Sequence, residues 1–143
     1  MRPALFALNA VHTLKREINK KANQESLLIA FTNEDLFAKS LTNYVFGLAS
    51  LTEGVGIWSN ARFGNPKNSV QSFQKCLLRM MKISAHEFGH MRGLPHCTDF
   101  KCNIGGYMST LELDERPLLY CLQDTAKICF LSQVSLSDYH QNL

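Results

Sequence analysis

Three histidines, two cysteines and a glutamate fall within SAHEFGHMRGLPHCTDFKC, the stretch from Ser84 to Cys102. His86 and His90 stand four residues apart, so on a helix their imidazoles share one face, one turn apart, within reach of a single metal ion. Glu87 follows the first histidine and can reach a water on that metal without being a ligand itself. A helix running straight past His90 would carry His96 away from the metal. Gly93 lies between them and can take positive φ, stop the helix and turn the chain back so that His96 closes a third ligand position. Chance yields a His-Glu-x-x-His string in about half a percent of chains this long, and the added glycine and histidine lower that roughly a thousandfold. Chance is therefore a poor explanation.

Three neutral nitrogen ligands leave a fourth position for water, the arrangement of a catalytic rather than a structural zinc. Zinc lowers the pKa of such a water to about 7. Glu87 would take the proton, the hydroxide would attack a peptide carbonyl, and Glu87 would pass the proton to the leaving amine. The expected chemistry is hydrolysis of a peptide or protein substrate, with Zn2+ as cofactor, His86, His90 and His96 as ligands and Glu87 as acid/base.

Cys97 follows His96 directly, and Cys102 and Cys121 come after it. Two cysteines across a short loop, then a second pair, is the general plan of a structural zinc site. Here the closing pair is incomplete, with Asp124 at the place of its second cysteine. A carboxylate can ligate zinc, although three thiolates with one oxygen form an uncommon set. Taken alone, the cysteine spacing fits two buried thiols equally well. Cys129 is a further candidate, poorly spaced along a helix.

The elements that must position these groups follow from periodicity. Pro3 suits a first helical turn, and Leu5, Leu8, Val11, Leu14 and Ile18 then recur at helical spacing. The cluster KREINKK, Lys15 to Lys21, reads as its solvated face, closed by KKANQES. SLLIAFT (26–32), NYVFGLASL and EGVGIWSNARF read as strands, parted by turns at Asn33–Asp35 and at TEG, 52–54. Gly64–Ser69 is a loop. A second helix begins near Gln71, and Phe73, Leu77, Met81, Ser84 and Phe88 form a stripe expected to pack on the sheet. LQDTAKICFLSQVSLSDYH reads as a final helix with a frayed end. Cys76, Met80 and Trp58 are expected in packing roles. Tyr107 is read as a half-buried tyrosine, with reach toward the metal as its second reading.

These elements make an α+β fold, with a small mixed sheet, a long active-site helix and an irregular cysteine-bearing C-terminal part. At 143 residues the chain suits one domain, with residues 1–92 carrying the first helix, the sheet and the active-site helix and residues 93–143 the zinc-binding remainder. Apolar residues make up 45% and charged residues 19%, a globular balance, and a net charge of +3 is too small to imply nucleic acid. No apolar run has the length of a bilayer span. Five cysteines, an odd number, with no visible signal peptide point to a reducing compartment, cytoplasmic or nuclear.

From about Leu27 to Cys121 the chain resembles the archaemetzincins, in which HExxHxxGx3C runs into Cx4C, a Cys-x-Met and a later CxxC. His86, Glu87, His90, Gly93, His96, Cys97 and Cys102 match the first part, and LELDERPLLYC resembles the acidic Arg-Pro-Leu segment before the third cysteine. FTNEDLF and YVFGLASLTEGVGIWSNARF are similar to the family's sheet segments. The resemblance implies a metzincin-like zinc peptidase, aminopeptidase-like, with a three-histidine catalytic zinc and a second, structural zinc on four cysteines. Cys97, Cys102, Cys121 and Asp124 would hold that second ion here. Three departures stand out: Ile104 replaces the methionine of Cys-x-Met, Asp124 replaces a cysteine, and the family's first strand is expected to be missing. They motivate a rival reading, a catalytically weak or silent zinc-stabilised domain that binds a protein partner.

Overall fold

A computed structural model describes residues 4–18, 27–38, 44–50 and 54–141. All of KKANQES (20–26) and residues 52–53 of the TEG turn lie outside them. The organising strand is β6, Val55–Ser59, in which all five residues are buried. Its VGIWS sequence has no polar face to offer solvent, so it must be covered on both sides. β2 (Leu28–Thr32) pairs with it in parallel and β5 (Gly47–Ser50) pairs antiparallel on the other side.

A second three-stranded sheet, also mixed, is ordered β1 (Ala4–Phe6), β3 (Asp35–Phe37) and β4 (Tyr44–Val45). The single sheet expected from the sequence is thus two. The chain crosses between them at Phe46, whose side chain is buried and whose carbonyl accepts from Ser59 N–H at 2.8 Å. β1 also corrects the N-terminal expectation. Residues 4–6 are a strand paired with β3, and the helix α1 starts only at Ala7 and runs to Ile18. α1 packs Val11 with Leu36, Val55 and Ile57 against one face of the sheets.

The other face carries α2, Val70–Met91, begun by Ser69, whose hydroxyl accepts from Ser72 N–H. Trp58 donates its indole N–H to the Ile83 carbonyl at 3.1 Å, pinning the helix three residues before His86. Trp58, Cys76 and Met80 keep their packing roles, around a core of Phe46, Phe63, Ile83, Met91 and Leu113.

The face that α2 buries is not the predicted one. Phe73, Leu77 and Met81 are exposed, whereas Arg79 and Lys82 are buried. Both cations are paired, which is the condition for burying them. Arg79 makes a two-pronged bond to Asp114, 2.7 Å on each side, and Lys82 Nζ donates to the carbonyls of Leu113 and Asp114. Those acceptors belong to α3, Thr110–Glu115, a short helix within the part expected to be irregular. Past it, α4 (Leu122–Leu131) and α5 (Leu136–Gln141) replace the single final helix, broken at Gln133 with φ of 55°. Among the described residues no helix is long and apolar enough to cross a membrane.

Candidate metal centre

His86 and His90 project from the last turns of α2, one turn apart. The helix then ends as the spacing requires. Gly93 has φ of 89°, its N–H bonds the His90 carbonyl at 2.8 Å, and Leu94 N–H bonds the Gly89 carbonyl at 2.9 Å. This paired closure is the glycine-dependent C-terminal motif of helices. It turns the chain back so that the His86, His90 and His96 ligand atoms lie within 4.8 Å of one another.

Two main-chain carbonyls decide the state of the first two rings. His86 Nδ1 lies 2.9 Å from the Asn103 carbonyl, and His90 Nδ1 lies 2.7 Å from the Leu94 carbonyl. A carbonyl only accepts, so each Nδ1 carries the proton and each Nε2 is left as a lone pair. Those two Nε2 atoms face each other at 3.1 Å. Burial pushes His86 down to about 4 and lowers His90 as well, so neither ring supplies a proton to share. Two lone pairs at that separation repel unless a cation lies between them, and tetrahedral zinc at about 2.0–2.1 Å from each nitrogen sets nitrogens roughly 3.3 Å apart. The donor set fits zinc.

Glu87 is buried beside them, and burial pushes its carboxyl up to about 7. A group with that pKa exchanges protons readily near neutral pH. Its placement depends on Gly47 of β5, where an added Cβ would stand 3.0 Å from Glu87 Oε1 and 3.1 Å from its Cγ. Sequence reasoning did not single out Gly47, although a glycine inside a strand is a signal of close approach. Gly47, the three histidines, Glu87 and Tyr107 line one cleft of about 270 Å³. The Tyr107 ring meets His86 edge-on at 5.0 Å, so it borders the site, and burial followed by the nearby Glu87 charge raises its phenol. Beneath the helix, Ile104 is fully buried at the methionine position, and a Cβ on Gly89 would come within 2.5 Å of its Cδ1. Tyr120 O–H donates to the Ala85 carbonyl beside it.

The second cluster forms where α4 begins. Cys97, Cys102, Cys121 and Asp124 also bring their ligand atoms within 4.8 Å of one another. Asp124 Oδ2 accepts from Cys102 Sγ at 3.4 Å and from Cys121 Sγ at 3.2 Å, while its Oδ1 accepts from Lys127 Nζ at 2.8 Å. Asp124 sits in the first turn of α4, where a carboxylate is favoured by the helix dipole. Burial acts to raise its pKa, but the bonds from Lys127 and the cysteines outweigh that and hold it at about 2. Burial pushes Cys102 up to about 12. Cys129 is not one of these four; it is buried in the adjoining apolar cluster with Leu94, Cys102, Ile104 and Ile128.

The profile of peptidase family M54 matches residues 4–129. The chain belongs to this family, the archaemetzincins. It is similar to Archaemetzincin-2 of Homo sapiens, at 34% identity over 80% of this chain and 39% of that protein. The archaemetzincin of Methanopyrus kandleri is 35% identical over 68% of this chain and 53% of its own length. That protein's crystal structure superposes with a TM-score of 0.71 at 28% identity, covering 86% of this chain and 65% of that one. The chain therefore spans about two fifths of the length of the human archaemetzincin relative. The α+β fold is shared with that archaemetzincin structure.

Proposed function

We propose that this chain is a zinc-dependent metallopeptidase of aminopeptidase-like type, acting on peptides or proteins, with His86, His90 and His96 holding the zinc. The observation that carries this reading is the pair of Nε2 lone pairs, 3.1 Å apart, beside a buried Glu87 whose pKa is about 7. Zinc bound there supplies Lewis-acid polarisation of the scissile carbonyl and of a water. Glu87 takes the proton from the attacking water and returns it to the departing amine. The Asn103 and Leu94 carbonyls hold two rings in the ligating tautomer. Cys97, Cys102, Cys121 and Asp124 are the proposed ligands of a second, structural zinc. Residues 1–143 act as one domain in this reading. Five unpaired cysteines support a reducing cytoplasmic or nuclear setting. The aminopeptidase preference rests on family resemblance.

The test is cleavage of a peptide library by wild type and by Glu87→Gln at equal measured zinc content, with free and acetylated amino termini. The variant is expected to retain zinc and to lose roughly 10²–10⁴-fold in kcat. Cleavage confined to free amino termini supports the exopeptidase form. A folded, zinc-loaded wild type that cleaves nothing favours the rival reading, a zinc-stabilised module that binds a protein partner.

A further inference from the structure

The two clusters are joined by more than the His96–Cys97 peptide bond. Cys102 belongs to the cysteine cluster, and the next residue, Asn103, gives its carbonyl to His86 Nδ1 at 2.9 Å. Asn103 is 1% exposed, and both protons of its side-chain amide are used. Nδ2 donates to the Lys82 carbonyl of α2 at 3.0 Å and to the Pro117 carbonyl at 3.2 Å. Its own N–H bonds the Leu119 carbonyl at 3.3 Å, two residues before Cys121. On the far side, the Ile104 carbonyl accepts from Cys97 N–H at 3.3 Å, and Cys121 N–H bonds Cys102 Sγ at 3.0 Å. Every arm of the cysteine cluster therefore bears on the short segment that aims His86.

We infer that Asn103 is a positioning residue that couples the two clusters, so that a metal on the cysteines tightens metal binding by the histidines. A metal on the cysteine cluster holds Cys102 in place, and Asn103, clamped to α2 through Lys82, transfers that placement to the His86 ring. Without it, the Asn103 carbonyl loses one of its fixed neighbours, and the histidine site must spend binding energy on ordering the segment. The coupling is reciprocal, since each site changes the other's affinity by the same factor. The inference rests on the histidine triad being a metal site, as proposed above.

Titration of the metal-free full chain with Co2+ tests it without reference to activity. Thiolate ligation gives an intense near-ultraviolet charge-transfer band, whereas histidine ligation gives only weak visible bands, so the two sites are read separately. In wild type the histidine site is expected to bind about tenfold or more tightly than in Cys121→Ser, whose cysteine cluster is disabled. Asn103→Ala is expected to leave the affinity of the cysteines for a first ion unchanged, while the histidine site of the cysteine-loaded chain weakens roughly tenfold. A purely structural loss would weaken both sites together, and that result overturns the assignment. Should Cys121→Ser fail to fold, reciprocity supplies the second variant: wild type with its histidines already loaded should bind cobalt at the cysteines more tightly than His90→Ala by the same factor. Equal histidine-site affinity in wild type, Asn103→Ala and the cysteine variant overturns the coupling but leaves the peptidase reading standing. No cobalt at the histidines overturns both.

Discussion

The histidine cluster and the cysteine cluster lie one peptide bond apart, at His96 and Cys97, yet they prepare for a metal in opposite ways. The histidines are held ready: carbonyls fix the protons on His86 and His90 Nδ1, and the ligating nitrogens are already bare. The cysteines are held in reserve. Cys102 and Cys121 keep their protons through burial and donate them to Asp124, which is already charged. In the proposed reading the histidine site must exchange water and substrate, and it gains from ligands that need no proton release. A closed site tolerates a proton-coupled closure, because it has only to form once.

The two clusters should differ most in their response to pH. Thiols must lose protons to bind metal, so binding strengthens as pH rises. With Cys102 raised to about 12 and Cys121 also raised, at least two protons should leave on cysteine-site binding between pH 6 and 8. Affinity there is expected to climb about a hundredfold per pH unit. Affinity at the histidine site should be far less steep, because His86 is already neutral above about 4. Isothermal titration in buffers of different ionisation enthalpy counts the protons directly, and equal counts at the two sites would erase the distinction.

Asp124→Ala removes the group on which the thiols converge. Metal affinity at the cysteines should fall ten- to hundredfold, measured against a competing chelator. Asp124→Cys should restore it through a fourth thiolate, seen as a stronger cobalt charge-transfer band. On the histidine side, Gly47→Ala acts through Glu87, which supplies the three atoms nearest the added Cβ. The new Cβ must displace the carboxylate, so kcat should drop roughly ten- to hundredfold with zinc content unchanged. An unchanged kcat would mean that Glu87 has room to step aside. Lys127→Ala is the mildest change. Lys127 is largely exposed and steadies Asp124 from outside, so the cysteine-site affinity should fall by no more than about threefold in the same competition assay.

Local geometry made the histidine cluster legible in the chain. Spacing of four on a helix places two side chains together whatever surrounds them, and Gly93 announces the turn that returns His96. The cysteine cluster was legible as a pattern of Cys97, Cys102, Cys121 and Asp124, but what gathers it is tertiary: Cys121 caps α4, whose first turn points Asp124 at the thiols. The two sheets, the strand at Ala4–Phe6 and the helix α3 were not legible, since short strands and a six-residue helix have too little periodicity to stand out.

Three imidazoles, one carboxylate beside them, and the bend that closes the set are already written in the chain. Tertiary structure decided how that chemistry is poised. The Asn103 and Leu94 carbonyls that choose the histidine tautomers are main-chain atoms, which every residue type carries and no motif can mark. The burial of Arg79 and Lys82 in place of Phe73, Leu77 and Met81 depends on α3 supplying partners more than thirty residues away. A charge is buried or exposed according to whether its partner arrives, and only the folded chain brings Asp114 to Arg79 and Asn103 to His86.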